Sequence, residues 1–240
     1  MQIIFNHESY IIMEFAKIIW EKNTPKSASF NDFYFSTRSG IQESIYNFLV
    51  HNHLQQRFSQ LQKNQYFRIC EAGFGSGLNF ILTMNLWHKY ACKDSQLEFI
   101  SFEKFPIELN DLGEILKSFD ELDDYRNFLK QYNPLEGLNI YEFDNITLKL
   151  IIDDINSINH YSLPFVDAWF LDGFAPSKNS CMWSDNLFES ISKLCHNDSS
   201  FATFTASSKV RKTLQKYGFE VKKDKGFGNK REMMYGVFRA

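Results

Sequence analysis

The stretch E-A-G-F-G-S-G at residues 71–77 lies between a predicted strand at 66–70 and a predicted helix at 78–90. Glycines permit a tight turn and let a ligand approach the backbone without meeting a Cβ, and the following helix offers free N–H groups. The spacing differs from the dinucleotide fingerprint G-x-G-x-x-G, because Leu78 occupies the position of its last glycine. The sequence G-K-[ST] of a nucleoside triphosphate loop is missing as well. The stretch therefore predicts a ligand-binding turn, or a tight turn with a purely structural role.

Outward from this glycine turn (residues 71–77), predicted strands and helices alternate along the chain. Further strands are predicted at 97–102, 140–143, 147–152, 166–171, 201–205, 219–221 and 233–238, of which 140–143 and 147–152 form a strand pair or hairpin. Further helices are predicted at 42–62 with a break near Asn52, at 107–132 in two pieces, at 187–195 and at 209–217. This alternation is typical of an α/β fold with a largely parallel sheet between two layers of helices. We expect residues 1–62 to form an extension packed on a core of 63–240, in one compact body.

The composition excludes several classes of protein. Of the 240 residues, 44% are hydrophobic and 23% are charged, which excludes a disordered tail and a collagen-like fibre. The apolar stretch 11–20 is interrupted by Glu14 and Lys17, and no run reaches 18 apolar residues without a charge, so neither a secretory signal nor a membrane span is predicted. The four cysteines and six histidines show no metal-binding spacing, so we expect free thiols, no metal and a cytoplasmic protein.

Charge is distributed unevenly along the chain. The residues from Lys209 to the C-terminus include ten basic and three acidic residues, whereas the first 208 residues include sixteen basic and 26 acidic ones. A basic face on an otherwise acidic body is typical of a protein with a polyanionic partner. A solvated helix and hairpin without such a partner is the alternative.

The acid-x-G-x-G-x-G spacing of the glycine turn resembles the S-adenosylmethionine loop of Rossmann-like methyltransferases, and acids that suit a nucleoside cofactor follow later strands. Glu103 ends the strand 97–102, where a carboxylate can accept hydrogen bonds from both ribose hydroxyls; a solvated carboxylate is the alternative. Asp154 follows the strand 147–152, where an acid can reach the adenine amino group. The assignment there lies between Asp154 and its neighbour Asp153.

Two further motifs carry groups that suit a substrate. Asp172 opens the sequence D-G-F-A-P directly after the strand 166–171, where a carboxylate would lie beside the cofactor's sulfonium and touch the nucleophile; an aspartate that closes a turn is the alternative. The basic segment (K-G-F-G-N-K-R-E, residues 225–232) has two glycines around an aromatic residue and three cations, which suits a phosphate and a stacked base. A basic hairpin loop without function is the alternative.

Together these segments resemble the methyltransferase part of the bacterial tRNA 5-methylaminomethyl-2-thiouridine biosynthesis protein family. The resemblance extends over most of the chain, at residues 30–36, 71–80, 100–106, 167–176, 179–188, 202–205 and 225–233. The segments that contain D-G-F-A-P and K-R-E-M are far more specific than the glycine turn. The stretch 196–200 departs from the Pro-Gly-Gly turn usual in such enzymes, so we expect a different local turn there.

The resemblance implies a Rossmann-like class I S-adenosylmethionine-dependent methyltransferase, with a mostly parallel seven-stranded sheet, helices on both faces and an N-terminal extension. The implied reaction is N-methylation of 5-aminomethyl-2-thiouridine at the tRNA wobble position, giving 5-methylaminomethyl-2-thiouridine. In many bacteria this part is fused to a flavin-dependent oxidoreductase. Because the sequence has no second nucleotide-binding fingerprint, we expect neither that activity nor a flavin in this chain, and an oxidoreductase only as a fused or separate partner.

The resemblance also assigns roles to individual residues. Asp172 is expected to orient the amine and to act as its base. The residues expected to bind S-adenosyl-L-methionine are Glu71, Gly73, Phe74, Gly75, Ser76, Gly77, Asn79, Glu103, Lys104 and Asp154. Those expected to meet the substrate or the tRNA are Tyr34, Phe174, Lys225, Phe227, Lys230 and Arg231. The alternatives are a methyltransferase acting on a small-molecule or protein amine, and a non-catalytic tRNA-binding module.

Overall fold

Runs of β-branched and aromatic residues form the strands of a central sheet in the computed structural model of the chain, which describes residues 13–35, 39–119, 122 and 125–239. The first twelve residues of the predicted N-terminal extension and Ser36 of the segment 30–36 lie outside the described residues. Within the described ranges, no helix is both long enough and apolar enough to cross a membrane. The four cysteines are free, as predicted.

The elements are labelled in chain order. The first are β1 (Ile18–Glu21), β2 (Thr24–Ser27), β3 (Asp32–Phe33), α1 (Gly40–Ser44) and α2 (Leu54–Ser59). Next come β4 (Tyr66–Ala72), α3 (Leu78–Tyr90), β5 (Gln96–Glu103), α4 (Leu109–Lys117), α5 (Tyr125–Gln131), β6 (Gly137–Phe143) and β7 (Ile146–Ile152). The last are β8 (Val166–Leu171), α6 (Asp185–Lys193), β9 (Cys195–Thr203), α7 (Ser208–Lys216), β10 (Phe219–Asp224) and β11 (Met233–Phe238). The predicted break near Asn52 is confirmed, since a π-helical stretch, Ile45–Val50, and a turn separate α1 from α2.

The described strands of the main sheet follow the order β10-β11-β9-β8-β4-β5-β7-β6. The five strands from β9 to β7 are mutually parallel, while β6 and β11 run antiparallel to their neighbours. The mostly parallel α/β fold is confirmed, and the sheet has eight strands in the described part of the chain, as many as the residue pattern predicts, whereas the resemblance implies seven. The hairpin partner β6 adds a strand at the edge beyond β7, because the tight turn at Asp144 lets the two pair along their length.

The two faces of the sheet bury separate sets of side chains, since successive residues of a strand point to opposite faces. On β4, Phe67 and Ile69 belong to a cluster with α3, α4 and α5, whereas Cys70 and Ala72 belong to a cluster with α6 and α7. The chain leaves β4 for β5 on one side and reaches β8 on the other. This switch in direction places the carboxyl ends of β4, β5 and β8 together at one edge of the sheet.

Strand β9 differs from the prediction at both ends, since it spans Cys195–Thr203 instead of 201–205. Its pairing with β8 is irregular: Val166 pairs with Cys195, but Ala168 pairs with Ser200. Asp198, in the intervening stretch, has φ +72°, and the hydroxyl of Ser199 donates to the carbonyl of Val166 at 2.6 Å. The stretch 196–200, which was expected to form a turn of its own, is therefore absorbed as an irregularity within the strand.

The residues before β4 pack on the same sheet. The strands β1, β2 and β3 form a small antiparallel sheet, and the backbone N–H of Ala16 donates to the carbonyl of Pro106 at 2.9 Å. Phe48, Leu54 and Phe58 are buried in the cluster that also holds α3 and α4. These contacts bring the aromatic segment that follows β2 to the edge of the sheet where β4, β5 and β8 end.

Two glycines provide a matched test of packing. At Gly236 on β11 an added Cβ would lie 1.9 Å from the carbonyl oxygen of Glu220 and 2.8 Å from the ring of Phe201, whereas at Gly113 in α4 it would meet nothing within 4 Å. We expect Gly236→Ala to lower the free energy of unfolding by about 1–3 kcal/mol. Gly113→Ala should raise it by roughly 0.5–1 kcal/mol, because alanine favours a helix. Urea unfolding measures both, and equal shifts in the same direction would contradict this packing.

Candidate active site

The glycine turn and the loop after β8 approach each other closely. Gly73 has φ +90° and Gly173 has φ +109°, conformations that L side chains rarely adopt. A Cβ on Gly73 would lie 3.0 Å from the Cα of Gly173, so no side chain fits between the two loops. The backbone N–H groups of Gly73 and Phe74 donate to the carbonyl of Phe102 at 3.0 and 3.1 Å, which ties the turn to β5. Three strand ends thus meet within one small region.

Glu103 connects the glycine turn to the residues after β5. Its Oε2 accepts from the backbone N–H of Gly75 at 2.8 Å and its Oε1 from that of Phe105 at 2.9 Å. Burial raises the pKa of Glu103, and these hydrogen bonds only partly offset the effect. A carboxylate has about four acceptor positions, so Glu103, which lines the cavity described below, keeps capacity for donors of a ligand.

The two aspartates after β7 differ in their partners. Asp153 accepts from the hydroxyls of Ser157 at 2.6 Å and Tyr161 at 2.9 Å. Asp154 accepts from Lys104 Nζ at 3.0 Å and from the backbone N–H of Asn156 at 2.9 Å. Although burial raises the pKa of Asp154, the hydrogen bonds from Asn156 and Lys104 bring it below its ordinary value. Both aspartates line the cavity, so the choice between them for an adenine amino group stays open.

One amide group bridges the fully buried Glu71 and the half-buried Asp172, at the ends of neighbouring strands. Asn79, in the first turn of α3, donates from Nδ2 to Glu71 Oε1 and to Asp172 Oδ2, both at 2.8 Å. Ser44 donates to Oδ1 of Asn79, and Ser101 donates to Glu71 Oε2 at 2.6 Å. Burial holds the pKa of Glu71 well above its ordinary value, while the hydrogen bonds from Ser101 and Asn79 lower it. The amide thus satisfies both acids without adding charge.

Asp172 has an unusually basic carboxylate. Burial raises the pKa of Asp172 to about 6, although hydrogen bonds from the backbone N–H of Gly173 and from Asn79 oppose the shift. Two more distant charges also act on it: Glu43 raises this pKa and Lys230 lowers it. Near neutral pH the group is therefore mainly ionised, and it accepts a proton more readily than an ordinary aspartate.

A cavity of about 390 Å³ opens between these strand ends and the aromatic segment. The rings of Phe30 and Phe174 stack with centroids 4.6 Å apart, and Tyr34 meets the edge of Phe174 at 5.4 Å. Trp183 Nε1 donates to the carbonyl of Phe174 at 3.1 Å, which fixes the loop that carries this ring. Burial raises the pKa of Tyr34 above its ordinary value, so the phenol stays protonated. The lining of the cavity therefore combines apolar aromatic rings with carboxylates.

Most of the predicted site residues line this one cavity. They are Tyr34, Gly73, Phe74, Gly75, Ser76, Asn79, Glu103, Lys104, Asp154, Asp172 and Phe174. Glu71 is fully buried and reaches the cavity only through Asn79, and Gly77 lies outside the lining. Sequence reasoning assigned no role to several lining residues: Phe30, Phe33, Phe35, Ser44, Phe105, Ile155, Asn179, Cys181 and Met182. Only the aromatic character of the segment 30–36 gave any signal for the first three. In the described part of the chain, no group of three or more acidic, histidine or cysteine side chains is arranged to hold a metal.

The basic segment lies outside the cavity lining and packs on α1 and the π-helical stretch. The hydroxyl of Tyr46 donates to the carbonyl of Lys225 at 2.7 Å, and its ring lies 6.0 Å from that of Phe227. Lys230 Nζ donates to Glu43 Oε1 at 2.5 Å although its side chain is 51% exposed, and the side chains of Lys225 and Arg231 are exposed as well. Of the four predicted substrate residues in this segment, Lys230 therefore has an acidic partner on α1.

The raised pKa of Asp172 has a consequence for stability. The group titrates near 3.8 when unfolded and at about 6 when folded, so the folded protein gains stability as pH falls from 8 to 4. Asp172→Asn has no carboxyl group at this position, so the variant does not gain stability in this way as pH falls. We expect the variant to be more stable than the wild type by about 2–3 kcal/mol at pH 8, and the difference to shrink towards pH 4. Urea unfolding at several pH values measures it. Asp144→Asn, on the exposed turn between β6 and β7, is the control, and a pH-independent difference for Asp172→Asn would contradict the expectation.

The fold also matches that of a known enzyme. The crystal structure of MNMC2 from Aquifex aeolicus superposes with a TM-score of 0.70, covering 95% of this chain and 72% of that chain at 24% sequence identity. This likeness is one of fold alone.

Sequence comparisons identify the family. The chain is 41% identical over 226 residues to the tRNA 5-methylaminomethyl-2-thiouridine biosynthesis bifunctional protein MnmC of Idiomarina loihiensis, covering 91% of this chain and 37% of that protein. It is 41% identical over 232 residues to the protein of the same name from Hydrogenovibrio crunogenus, covering 94% and 34%. The chain thus spans about a third of the length of the curated relatives it matches. A family model described as S-adenosyl-L-methionine-dependent methyltransferase matches residues 120–239, half of the chain. The chain belongs to this family of methyltransferases, whose methyl donor is S-adenosyl-L-methionine.

Proposed function

We propose that the chain methylates the 5-aminomethyl group of 5-aminomethyl-2-thiouridine at the tRNA wobble position, giving 5-methylaminomethyl-2-thiouridine. The observation that carries the proposal is Asp172, a carboxylate with a pKa of about 6 at a cavity walled by aromatic rings. The choice of this tRNA nucleoside rests on the name of the relatives described above, which describes its biosynthesis. They are bifunctional and about three times as long, so a flavin-dependent oxidoreductase, fused or separate, is the partner we propose for supplying the aminomethyl intermediate in the cytoplasm.

The residues at the cavity fit the cofactor. A volume of about 390 Å³ lies within the usual range of roughly 300–1,000 Å³ for small-molecule sites. We propose that Glu103 binds the ribose hydroxyls and that Asp154 or Asp153 binds the adenine amino group. The glycine turn lets the cofactor approach the backbone closely. Glu71 supports this site indirectly, by holding Asn79. When bound, S-adenosyl-L-methionine supplies a sulfonium methyl group, which passes to the amine nitrogen as the sulfur–carbon bond breaks.

The amine must be neutral to act as a nucleophile, and the site has two means of making it so. An alkylammonium resembles lysine, with a pKa of about 10.4, so only about 0.1% is neutral at pH 7.4, a deficit worth roughly 4 kcal/mol. The aromatic wall of Phe30, Tyr34 and Phe174 removes water from the amine and lowers its pKa. Asp172 accepts a hydrogen bond from the amine, orients it and takes the proton it loses. The negative charge of Asp172 also stabilises the ammonium, so it opposes the effect of the aromatic wall on the pKa of the amine. Holding the nitrogen in line with the methyl group supplies the rest of the acceleration.

The decisive experiment compares the wild type with Asp172→Ala. Radiolabelled S-adenosyl-L-methionine is incubated with tRNA from cells that lack this methyltransferase activity but make the aminomethyl intermediate, and the labelled nucleoside is identified after digestion. We expect label in 5-methylaminomethyl-2-thiouridine, with turnover roughly 10²–10⁴-fold lower in the variant. Cofactor affinity, measured by calorimetry, should change little. An equal loss of turnover and affinity would contradict the role of Asp172, and label in another acceptor would contradict the substrate.

We assign contact with the tRNA backbone to the exposed cations of the basic segment, Lys225 and Arg231, and stacking on a base to Phe227. Replacing both cations with alanine should weaken tRNA binding and flatten its salt dependence, with a slope of log K against log salt smaller by about 1–2. The control replaces Lys63 and Lys93, which lie at the amino ends of β4 and β5, the opposite edge of the sheet. Identical slopes for the wild type and Lys225→Ala/Arg231→Ala would overturn the assignment.

A further inference from the structure

An ion pair connects the basic segment to the first helix. Lys230 Nζ donates to Glu43 Oε1 at 2.5 Å, and the ammonium lies 5.2 Å from the ring centre of Phe204. Glu43 is only 8% exposed, although it carries a carboxylate. A charge so far removed from water is costly unless an opposite charge accompanies it. The ammonium of Lys230 therefore has a defined place against α1, although its side chain remains 51% exposed.

From this pair, a short series of contacts leads to Asp172. Glu43 is followed in α1 by Ser44, whose hydroxyl donates to Oδ1 of Asn79. Asn79 in turn donates to Asp172 Oδ2 at 2.8 Å. The position of α1 thus affects both the ion pair and the amide that holds Asp172. A displacement of the basic segment that pulled on Glu43 would also disturb the partner of Asp172.

Two charged groups act on Asp172 from the elements around it, Glu43 from α1 and Lys230 from the basic segment. The neighbouring acid Glu71, at the end of β4, shares the amide of Asn79 with Asp172, and the charge of Asp172 helps to raise the pKa of Glu71. Glu43 favours the protonated form of Asp172 and Lys230 favours the ionised form, and their close pairing makes the two effects oppose each other. Removing either partner therefore leaves the charge of the other uncompensated in its effect on Asp172.

We propose that Lys230 and Glu43 are positioning residues whose ion pair holds the basic segment against α1 and keeps Asp172 ready to accept the amine proton. The placement of the segment that meets the tRNA is thereby linked to the protonation state of the base. The inference rests on the proposed function in taking Asp172 as the proton acceptor, but its effect on Asp172 exists without any substrate.

The test uses two variants that are expected to act in opposite directions. Lys230→Met removes the cation and leaves Glu43 facing Asp172, so the titration midpoint of Asp172 should rise. Glu43→Gln removes the acid and leaves the cation, so the midpoint should fall. NMR of protein labelled with ¹³C at the aspartate carboxyls follows the titration directly, and Asp172→Asn identifies the signal. The acidic limb of the pH dependence of kcat/KM should move in the same two directions.

Conservative and distant changes serve as controls. Lys230→Arg keeps the charge and should leave the titration and the acidic limb at their wild-type positions. Lys222→Met removes the same charge from β10, where the side chain is exposed, and should leave both unchanged. Shifts in the same direction for Lys230→Met and Glu43→Gln, or no shift, would overturn the inference, since a purely structural role predicts loss of activity without opposite shifts. If Lys230→Met does not fold, the comparison of Glu43→Gln with Lys230→Arg still shows whether the titration midpoint of Asp172 falls when the acid is removed.

The two proposals fail separately in this design. If the titration of Asp172 shifts as expected but no variant, nor the wild type, labels the tRNA nucleoside, the proposed substrate is wrong and the electrostatic link stands. If the wild type labels the nucleoside and Asp172→Ala does not, while the titration ignores both charge changes, the proposed function stands and the link is wrong. If the titration of Asp172 shifts in opposite directions in the two variants but the acidic limb of kcat/KM does not move, the proposed effect of the ion pair on catalysis is wrong.

Discussion

Two carboxylates from adjacent strands end within hydrogen-bond reach of the same amide, that of Asn79. Placed side by side and shielded from water, Glu71 and Asp172 would repel each other if both were ionised and nothing lay between them. The two N–H groups of Asn79 give each acid a donor, and the hydroxyl of Ser44 satisfies the remaining oxygen of the amide. The ends of β4 and β8, the start of α3 and the helix α1 are therefore fixed relative to one another by one uncharged side chain.

In the proposed reaction the same surroundings act on the acid and on the amine. An apolar environment disfavours charge, so it raises the pKa of Asp172 to about 6 and lowers that of an amine next to it. The two values, which in water differ by more than six units, move towards each other, and transfer of a proton from the ammonium to the carboxylate costs less. An acid with an ordinary pKa in the same place would be a weaker base. The aromatic wall thus contributes to the chemistry as well as to the shape of the cavity.

The sequence predicted those parts of the site that depend on which residues follow one another along the chain. The glycine turn, Glu103 and Asp172 each follow directly on a strand, and the carboxyl ends of parallel strands gather at one edge, so their proximity could be predicted. The hairpin of β6 and β7 could also be predicted, but its place at the edge of the sheet and the irregular start of β9 could not, because they depend on which neighbour each strand meets and at what register. Local periodicity carries no information on either.

Contacts between distant parts of the chain were out of reach for the same reason. The basic neighbours of Lys230 predicted contact with phosphate but gave no sign of its partner Glu43, 187 residues away. Phe30 precedes every strand of the main sheet and stacks on Phe174, which follows β8. One side of the cavity is therefore formed by residues that come before the sheet in the chain, and the carboxylate side by residues at its strand ends. A glycine turn and strand-end acids alone would leave the amine open to water, where its pKa stays high and its reactivity low. In the proposed reaction the segment before the sheet is thus as much part of the chemistry as Asp172.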